Sequence, residues 1–246
     1  MFRKRLPWQF EGAVAEIVRH NFRDVPIKTL VISFTHPHKA LSSREGFKKK
    51  EVRAVCNNFN PPQLWDFIHQ NWELYLAEII VDLKLLPSEV AILSTGVDID
   101  HCAFKVEEYE ELNVSAFVTA GVESNAMRIG VDKAGSMERE GKFEQLGTIN
   151  TILLTNACLS ESAMVRSLIT VTEAKTIALQ DMDIRSSYNP DVQATGTGTD
   201  HVIIVSGEGP AVSYCGGHCK MGELMARAVT SATKEAILKH GNTRSG

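Results

Sequence analysis

Short apolar runs of strand length alternate with helical patterns along this 246-residue chain, and this alternation limits the folds that it can adopt. Strand-like runs occupy residues 27–34, 51–57, 89–95, 114–121, 149–154 and 201–206. Helical periodicity marks residues 62–86, 160–182 and 220–239. Because hairpin-length links alternate with helical crossovers, the sequence predicts an α+β or mixed α/β fold. In it, a sheet or sheets of mixed strand direction pack against helices in a single domain.

Charge and composition exclude several classes of protein. The net charge is −4, so the basic surface of a nucleic-acid-binding protein is missing. The N-terminal residues do not resemble a secretory signal, and charges interrupt every apolar stretch well before the ~20 residues that span a bilayer. The five cysteines favour reduced thiols. We therefore expect a cytoplasmic protein without a nucleic-acid or membrane partner.

A carboxylate lies in the apolar pattern of the helix predicted over residues 160–182. Ser160 is placed to cap this helix. Its apolar stripe is predicted to contain Val165, Leu168, Ile169, Thr172, Thr176 and Leu179. Glu173 falls on one i, i+4 row with Ile169 and Ile177, whereas Lys175 points to nearly the opposite side. The pattern predicts that Glu173 is at least half buried, which suits either a general base or a structural salt bridge.

The segment "ATGTGTDH" (194–201) alternates glycine with threonine before a strand. Its glycines let a ligand approach the backbone, and Thr197 and Thr199 offer hydroxyl groups. Such a loop could hold an anion or an amide carbonyl. Asp200 and His201, which follow, could be catalytic or could be an ordinary pair at the start of a strand.

The segment "YCGGHCKMGELMA" (214–226) leads into the last helix. Unpaired N–H groups of Gly216 and Gly217, with the positive end of the helix dipole, favour an oxyanion there. His218 is either an acid–base group or a structural histidine. Cys215 and Cys219 beside it lack the spacing of a zinc finger, so we expect thiols and no bound metal.

Amide and hydroxyl side chains cluster in a third segment, "VTAGVESNAMRIG" (118–130), just after a predicted strand. They belong to Thr119, Ser124 and Asn125, and Asn150 occupies a similar place in a later strand. A group of amides suits a substrate that is itself rich in amides, although turn chemistry explains each residue singly.

Taken together, these segments resemble the adenosylcobinamide amidohydrolase (CbiZ-type) family of corrinoid salvage. The resemblance rests on "TAGVESNAMRIG", "GTINTILLTN", "TEAKTIAL", "TGTGTDHVIIVSG" and "YCGGHCKMGELMARAV", in this order. It covers roughly residues 90–240. We expect one amidohydrolase domain over 1–240, with a less typical portion at 1–88, a family-like core at 89–240 and a polar tail at 241–246.

The resemblance implies hydrolysis of the amide that joins the aminopropanol arm to the corrin ring, giving adenosylcobyric acid and 1-amino-2-propanol. The expected catalytic set is Glu173, Asp200, His201 and His218. The expected substrate-binding set is Thr119, Ser124, Asn125, Thr148, Asn150, Lys175, Thr197, Gly198, Thr199, Gly216 and Gly217. No cofactor is expected, since the cobalt corrinoid enters as the substrate.

Two mechanisms agree with these residues. In the first, water attacks with Glu173 as base, and His218 or His201 protonates the leaving amine. In the second, Thr148, Thr197 or Thr199 is a covalent nucleophile. A corrinoid-binding carrier or sensor without catalysis is the alternative from another class of protein, and a metal-dependent amidase using Cys215, His218 and Cys219 is a third.

Overall fold

The computed structural model describes residues 1–46, 51–133 and 147–242. Thirteen strands lie within these ranges: β1 Phe2–Arg5, β2 Ala13–Phe22, β3 Val25–Ser42, β4 Val52–Phe59, β5 Val90–Thr95, β6 Ala103–Tyr109, β7 Leu112–Ala120, β8 Ala126–Met127, β9 Ile149–Thr155, β10 Cys158–Leu159, β11 Gly196–Thr197, β12 His201–Ser206 and β13 Ala211–Val212. The α-helices of the same ranges are α1 Trp65–Gln70, α2 Trp72–Asp82, α3 Glu161–Asp181 and α4 Lys220–Asn242. In this part of the chain, no helix is long and apolar enough to cross a membrane.

One sheet of nine strands forms the centre of the described structure. Its main path is β1-β2-β3-β12-β9-β7-β6, and β4 pairs with β3 and with β5. Two of the pairings, β4 with β5 and β9 with β12, are parallel, and the others are antiparallel. The fold is therefore a single α+β domain with a sheet of mixed strand direction, as predicted from the sequence.

The long strand β3 lets this sheet curl. Its first part pairs with β2 and β4, its last residues pair with β12, and the register shifts between Ser33 and His38. The two halves of the sheet consequently face each other across an apolar interior, where the Trp8 indole donates to Ser115 Oγ at 2.9 Å. α1 and α2 cover the outside of one half, and α3 and α4 cover the other. The result is four layers, with helices on both outer faces.

Several local predictions are confirmed. Strands occur at β5, β7, β9 and β12, and Ser160 caps α3 by accepting the N–H of Ala163 at 3.1 Å. Residues 102–112, whose pattern fits either a helix or an edge strand, contain the edge strand β6. The last helix, α4, begins at Lys220 as predicted but continues to Asn242, so the first two residues of the predicted tail are helical. Residues 243–246 lie outside the described ranges.

The first helical region differs from its prediction. The pattern over 62–86 predicts one helix, whereas a 3₁₀ turn, α1 and α2 follow each other there. Asn71 separates the two α-helices with φ −135° and ψ 39°, and its side-chain amide donates to the Phe67 carbonyl at 3.1 Å. A side chain that hydrogen-bonds to the backbone in this way competes with the backbone hydrogen bonds of a helix. The spacing of apolar residues does not reveal such a break.

The apolar stripe predicted for α3 is only partly correct. Leu179 is buried and Leu168 packs against the core, but other predicted members face solvent. Val165 and Ile169 are 48% and 46% exposed. The buried face of α3 consists mostly of small residues, namely Ala163, Met164, Ser167, Thr170, Val171, Ala174, Ala178 and Leu179. Small side chains allow α3 to pack closely against α4, whose own buried residues include Ala228, Ala232 and Ala236. The buried face of α3 is therefore the one whose small side chains permit close contact with α4, and hydrophobicity alone does not predict it.

Candidate active site

The predicted polar residues meet where three neighbouring strands share one edge of the sheet. β7 ends there while β9 and β12 begin, and their register aligns Thr119 with Asn150 and Asn150 with His201. Segments "VTAG", "GTIN" and "GTDH" are distant in sequence but adjacent in space for this reason. The sheet topology thus collects three of the five segments that carry the family resemblance.

Asp200 is the centre of this group. One carboxylate oxygen accepts from the Thr197 hydroxyl at 2.5 Å and from the Ile149 N–H at 3.0 Å. The other accepts from the Thr197 N–H at 3.0 Å and pairs with the Lys175 ammonium of α3. Both side chains of the ion pair are largely buried, at 14% and 12% exposure. Four donors occupy both oxygens of this carboxylate, so its geometry suits positioning of the surrounding loop and strand.

The Gly147–Thr148 peptide lies directly beside Asp200. The Gly147 carbonyl accepts from Asn125 Nδ2 at 2.8 Å and from Thr199 Oγ1 at 3.1 Å. The Thr148 hydroxyl donates to the Thr199 carbonyl at 2.6 Å. Two side-chain donors on one carbonyl oxygen form the arrangement that stabilises an oxyanion.

The inner face of the same edge carries a buried amide network. Asn57 of β4 donates to the Thr119 hydroxyl at 2.9 Å, and Asn150 donates to the Asn57 side-chain oxygen and to the Ser94 carbonyl, both at 2.8 Å. Within the described ranges, Oδ1 of Asn150 is buried without a hydrogen-bond donor. A buried acceptor of this kind is costly unless another group satisfies it.

A crevice of about 140 Å³ opens between α3 and the starts of β9 and β12. Its walls include Leu168, Thr172 and Lys175 on the helix side. At its edge, Ser43 Oγ lies 3.1 Å from His201 Nδ1. Burial lowers the pKa of His201, and the nearby Arg44 charge lowers it further against the opposite effect of Asp200. The imidazole is therefore neutral at pH 7.

Two glycines of the 194–201 loop contribute differently to this site. A Cβ at Gly196 would collide with the Asp200 carboxylate and the Lys175 ammonium. A Cβ at Gly198 would lie 3.2 Å from Asn125 Oδ1. Neither glycine has a positive φ. Gly196 leaves less room than Gly198, where a small shift of Asn125 would decide whether a Cβ is tolerated.

Several predicted residues lie elsewhere. The prediction that Glu173 is at least half buried is wrong, because α3 turns the row of Ile169, Glu173 and Ile177 outward. Glu173 makes no hydrogen bond or ion pair with any residue in the described ranges. Gly216, Gly217 and His218 precede α4 as predicted. Within the described residues, however, this loop contacts α3 near Thr170 and not Asp200.

The cysteines beside His218 form no disulfide bond within the described residues. Cys215 is buried, which raises its thiol pKa, and its carbonyl accepts from the Thr170 hydroxyl at 2.7 Å. Cys219 Sγ lies 3.0 Å from the Gly216 carbonyl, as a thiol donor would. The exposed His218 ring packs 5.1 Å from the Tyr214 ring. Across the described residues, no three His, Cys, Asp or Glu side chains are grouped as a metal site would require.

The structure adds residues that the sequence analysis missed. Asn57 links two predicted residues, Ser43 contacts His201, and the Tyr188 hydroxyl orients Asn125 by donating to its Oδ1 at 2.9 Å. The run "CNNFN" (56–60) at the end of β4 was an available signal for Asn57, since amides at strand ends marked the other segments. Nothing in the local sequence marks Ser43 or Tyr188.

Sequence comparison identifies the family. The profile of the adenosylcobinamide amidohydrolase (CbiZ) family matches residues 14–245. A protein of Methanosarcina mazei named adenosylcobinamide amidohydrolase is 30% identical over 199 residues, which cover 77% of this chain and 82% of that protein. Uncharacterized protein MJ1613 of Methanocaldococcus jannaschii is 44% identical over 223 residues, 86% of each chain. The chain is a hydrolase that acts on a carbon–nitrogen amide bond, and it belongs to the adenosylcobinamide amidohydrolase family.

Comparison with solved structures finds weaker likenesses. An L-aminopeptidase D-Ala-esterase/amidase of Ochrobactrum anthropi aligns with a TM-score of 0.48 at 11% identity, over 93% of this chain and 84% of that one. The PH0078 protein of Pyrococcus horikoshii aligns with a TM-score of 0.45 at 11% identity, over 87% and 78%. Likenesses at this level add nothing to the assignment of the site.

Proposed function

We propose that the protein hydrolyses the amide between the aminopropanol arm and the corrin ring of adenosylcobinamide. The products are adenosylcobyric acid and 1-amino-2-propanol. The observation that supports this proposal is the polar group around Asp200. The Thr148 hydroxyl, two side-chain donors on one carbonyl oxygen and a crevice lie there at one sheet edge. Family membership supplies the substrate class.

The size of the crevice favours entry of one arm of the corrinoid. Pockets that enclose a whole drug-sized ligand usually measure about 300–1,000 Å³. The crevice of about 140 Å³ suits an aminopropanol arm, while the ring stays outside. The exposed apolar row of Val165, Ile169 and Ile177 on α3 is suited to the apolar face of that ring. The crevice and this row lie on the same helix.

Amide cleavage requires a nucleophile, a stabilised oxyanion and a proton for the leaving amine. Thr148 supplies the hydroxyl, and Asn125 and Thr199 supply the oxyanion donors. Lys175 and Asp200 hold the start of β9 in place through the Ile149 N–H. His201, at the edge of the crevice, relays a proton to the departing amine.

Turnover tests this function directly. Purified protein incubated with adenosylcobinamide is expected to release 1-amino-2-propanol and to produce a new ring carboxylate, which mass spectrometry detects. Binding of adenosylcobinamide without product would support a carrier or sensor instead.

A chelator tests the metal alternative in the same assay. Activity is expected to persist in the chelator, since the proposed groups are side chains of Thr148, Asn125, Thr199 and His201. Loss of activity, with recovery on adding a divalent metal, would favour the amidase that uses Cys215, His218 and Cys219. Cobalt is measured separately because the corrinoid carries it.

A further inference from the structure

We propose that the chain cleaves its own peptide bond between Gly147 and Thr148, and that the freed Thr148 is the nucleophile of the amide hydrolysis. The second half of this inference rests on the proposed function, and the first half stands without it. Three observations at this peptide carry the proposal: a polarised carbonyl, an adjacent hydroxyl and a backbone fixed on both sides.

The Gly147 carbonyl is activated by two side chains. Asn125 Nδ2 and Thr199 Oγ1 donate to its oxygen at 2.8 and 3.1 Å. Asn125 is only 4% exposed, and Tyr188 holds its amide in orientation. A peptide carbonyl that receives two directed side-chain donors has the environment in which a tetrahedral oxyanion is stabilised. In this chain, the amide that receives these two donors is the Gly147–Thr148 peptide bond itself.

The attacking group follows that carbonyl in the sequence. The Thr148 hydroxyl and the Gly147 carbonyl carbon can close a five-membered ring, because only the amide nitrogen, Cα and Cβ lie between them. Thr148 is 5% exposed, so its hydroxyl is shielded from bulk water. The Thr148 hydroxyl donates to the carbonyl of Thr199, and the hydroxyl of the same Thr199 donates to the Gly147 carbonyl. The attacking hydroxyl and one oxyanion donor are thus held by a single residue.

The backbone around the bond is held on both sides. The Thr148 carbonyl accepts the Gly121 N–H at 3.1 Å, and the next N–H, that of Ile149, donates to Asp200. On the other side, a Cβ at residue 147 would lie 2.7 Å from the Gly121 carbonyl oxygen and 3.2 Å from Ser124 Oγ. Only glycine fits there, and fixed reacting groups are the condition for a fast intramolecular reaction.

The reaction balances with one molecule of water. Thr148 Oγ1 attacks the Gly147 carbonyl carbon, the C–N bond breaks, and the hydroxyl proton passes to the nitrogen, which leaves an ester and a free amine. Water then hydrolyses the ester, giving a Gly147 carboxylate and restoring the Thr148 hydroxyl. No oxidant, metal or other reactant is consumed.

Cleavage would complete the site for its substrate. Departure of the Gly147 carboxylate frees the Asn125 and Thr199 donors to receive the carbonyl oxygen of the corrinoid arm. The new α-amine of Thr148, with an ordinary pKa of about 7.7–8.0, is then the base next to its own hydroxyl. Self-cleavage and substrate hydrolysis thus use the same donors in succession.

Mass spectrometry of the purified full-length chain tests the cleavage without any substrate. We expect fragments 1–147 and 148–246, whose summed mass exceeds that of the uncut chain by one water, and a second fragment that begins at Thr148. Thr148→Ala should give one uncut mass, and Thr148→Ser should restore the two fragments. Thr155→Ala, which removes another buried hydroxyl at the opposite end of β9, should be cleaved like the wild type.

The outcomes separate the two proposals. A wild-type chain that stays intact after prolonged incubation overturns self-cleavage, even if it hydrolyses adenosylcobinamide. Fragments that appear equally in Thr148→Ala also overturn it, because a contaminating protease would then explain the cut. Cleaved protein that releases no aminopropanol would leave self-cleavage in place and remove the proposed function. Circular dichroism of each variant confirms that it is folded.

Discussion

At the scale of single residues, the site depends on hydrogen-bond capacity more than on acidity. Asp200 and Glu173 are both carboxylates that the sequence analysis selected for catalysis. Asp200 receives four donors in a largely buried position, whereas Glu173 lies on the exposed face of α3. Four donors make Asp200 a fixed point for the loop and strand around it. We infer that it positions Thr148 through the backbone of Ile149.

Matched amide substitutions at these two carboxylates test this difference. Asp200→Asn removes the charge that Lys175 pairs with and turns an NH₂ group toward other donors, so turnover should fall on the order of a hundredfold and stability should fall with it. Glu173→Gln should change neither turnover nor the unfolding midpoint. Steady-state kinetics and urea unfolding measure both. If Glu173→Gln were inactive and Asp200→Asn active, the base would be Glu173.

At the scale of the elements, the packing of α3 on α4 sets the face that α3 presents to solvent. Ala174 is 4% exposed, and its carbonyl accepts from the Thr230 hydroxyl of α4 at 3.2 Å. Contacts this close leave no space for longer side chains. They also turn Lys175 toward Asp200, on the side of the helix opposite Glu173. The orientation of α3 about its own axis therefore determines both its interface with α4 and the position of Lys175 beside Asp200.

A larger residue in this interface should be destabilising. Ala174→Leu inserts three carbons between α3 and α4, and overpacking of this kind typically costs about 1–3 kcal/mol. Val165→Leu, which enlarges a residue that is 48% exposed on the same helix, should stay within about 0.5 kcal/mol of the wild type. Urea unfolding compares the two variants. Equal unfolding free energies for Ala174→Leu and Val165→Leu would contradict the prediction, because they would show that α3 can move away from α4 without loss of stability.

At the scale of the whole molecule, the four layers bury polar groups as well as apolar ones. His20 of β2 is 6% exposed beneath α2, where its ring nitrogens lie 2.5 Å from Asp82 and 2.9 Å from the Thr29 hydroxyl. Burial lowers the pKa of His20, and the opposing effect of Asp82 does not cancel it. Burial likewise lowers the pKa values of His101 and His201. The fold thus holds three histidines that resist protonation.

Stability should therefore fall in mildly acidic solution. The unfolded chain binds protons at these histidines near their ordinary pKa of about 6.5, whereas the folded chain binds them only at lower pH. The stabilising contribution is present above pH 6.5 and is lost as the pH falls from there through the lowered folded-state values. One histidine contributes a slope of at most about 1.4 kcal/mol per pH unit. Unfolding free energies measured between pH 7.5 and 5 test this expectation.

Two histidine variants test whether His20 contributes to this pH dependence of stability. His20→Gln keeps a polar side chain under α2 but cannot titrate, so the pH dependence of stability should become shallower. His69→Gln, at an exposed position in α1, should leave the slope unchanged. A wild-type protein whose stability is constant over this pH range would contradict the prediction.

Much of the local structure follows from the sequence alone. The Ser160 cap, the start of α4 at Lys220 and the strand at 201–206 depend on neighbouring residues, so short patterns predict them. The family also follows from the sequence, because five ordered segments carry it. Local patterns fail where pairing with a distant strand determines the structure. The end of β3 at 39–42 lies beyond the strand predicted at 27–34, but it pairs with β12.

The chemistry of the site was decided by the tertiary structure. The sequence analysis selected Asp200, Lys175 and Asn125 as site residues, and strand register brings segments as distant as those of Thr119 and His201 to one sheet edge. The contact of α3 with α4 sets the direction in which α3 faces, so that Glu173 is exposed and the Lys175 side chain is largely buried. Side-chain type and spacing are local properties of the sequence. The burial of a side chain and its hydrogen-bond or ion-pair partners depend on which distant element packs against it.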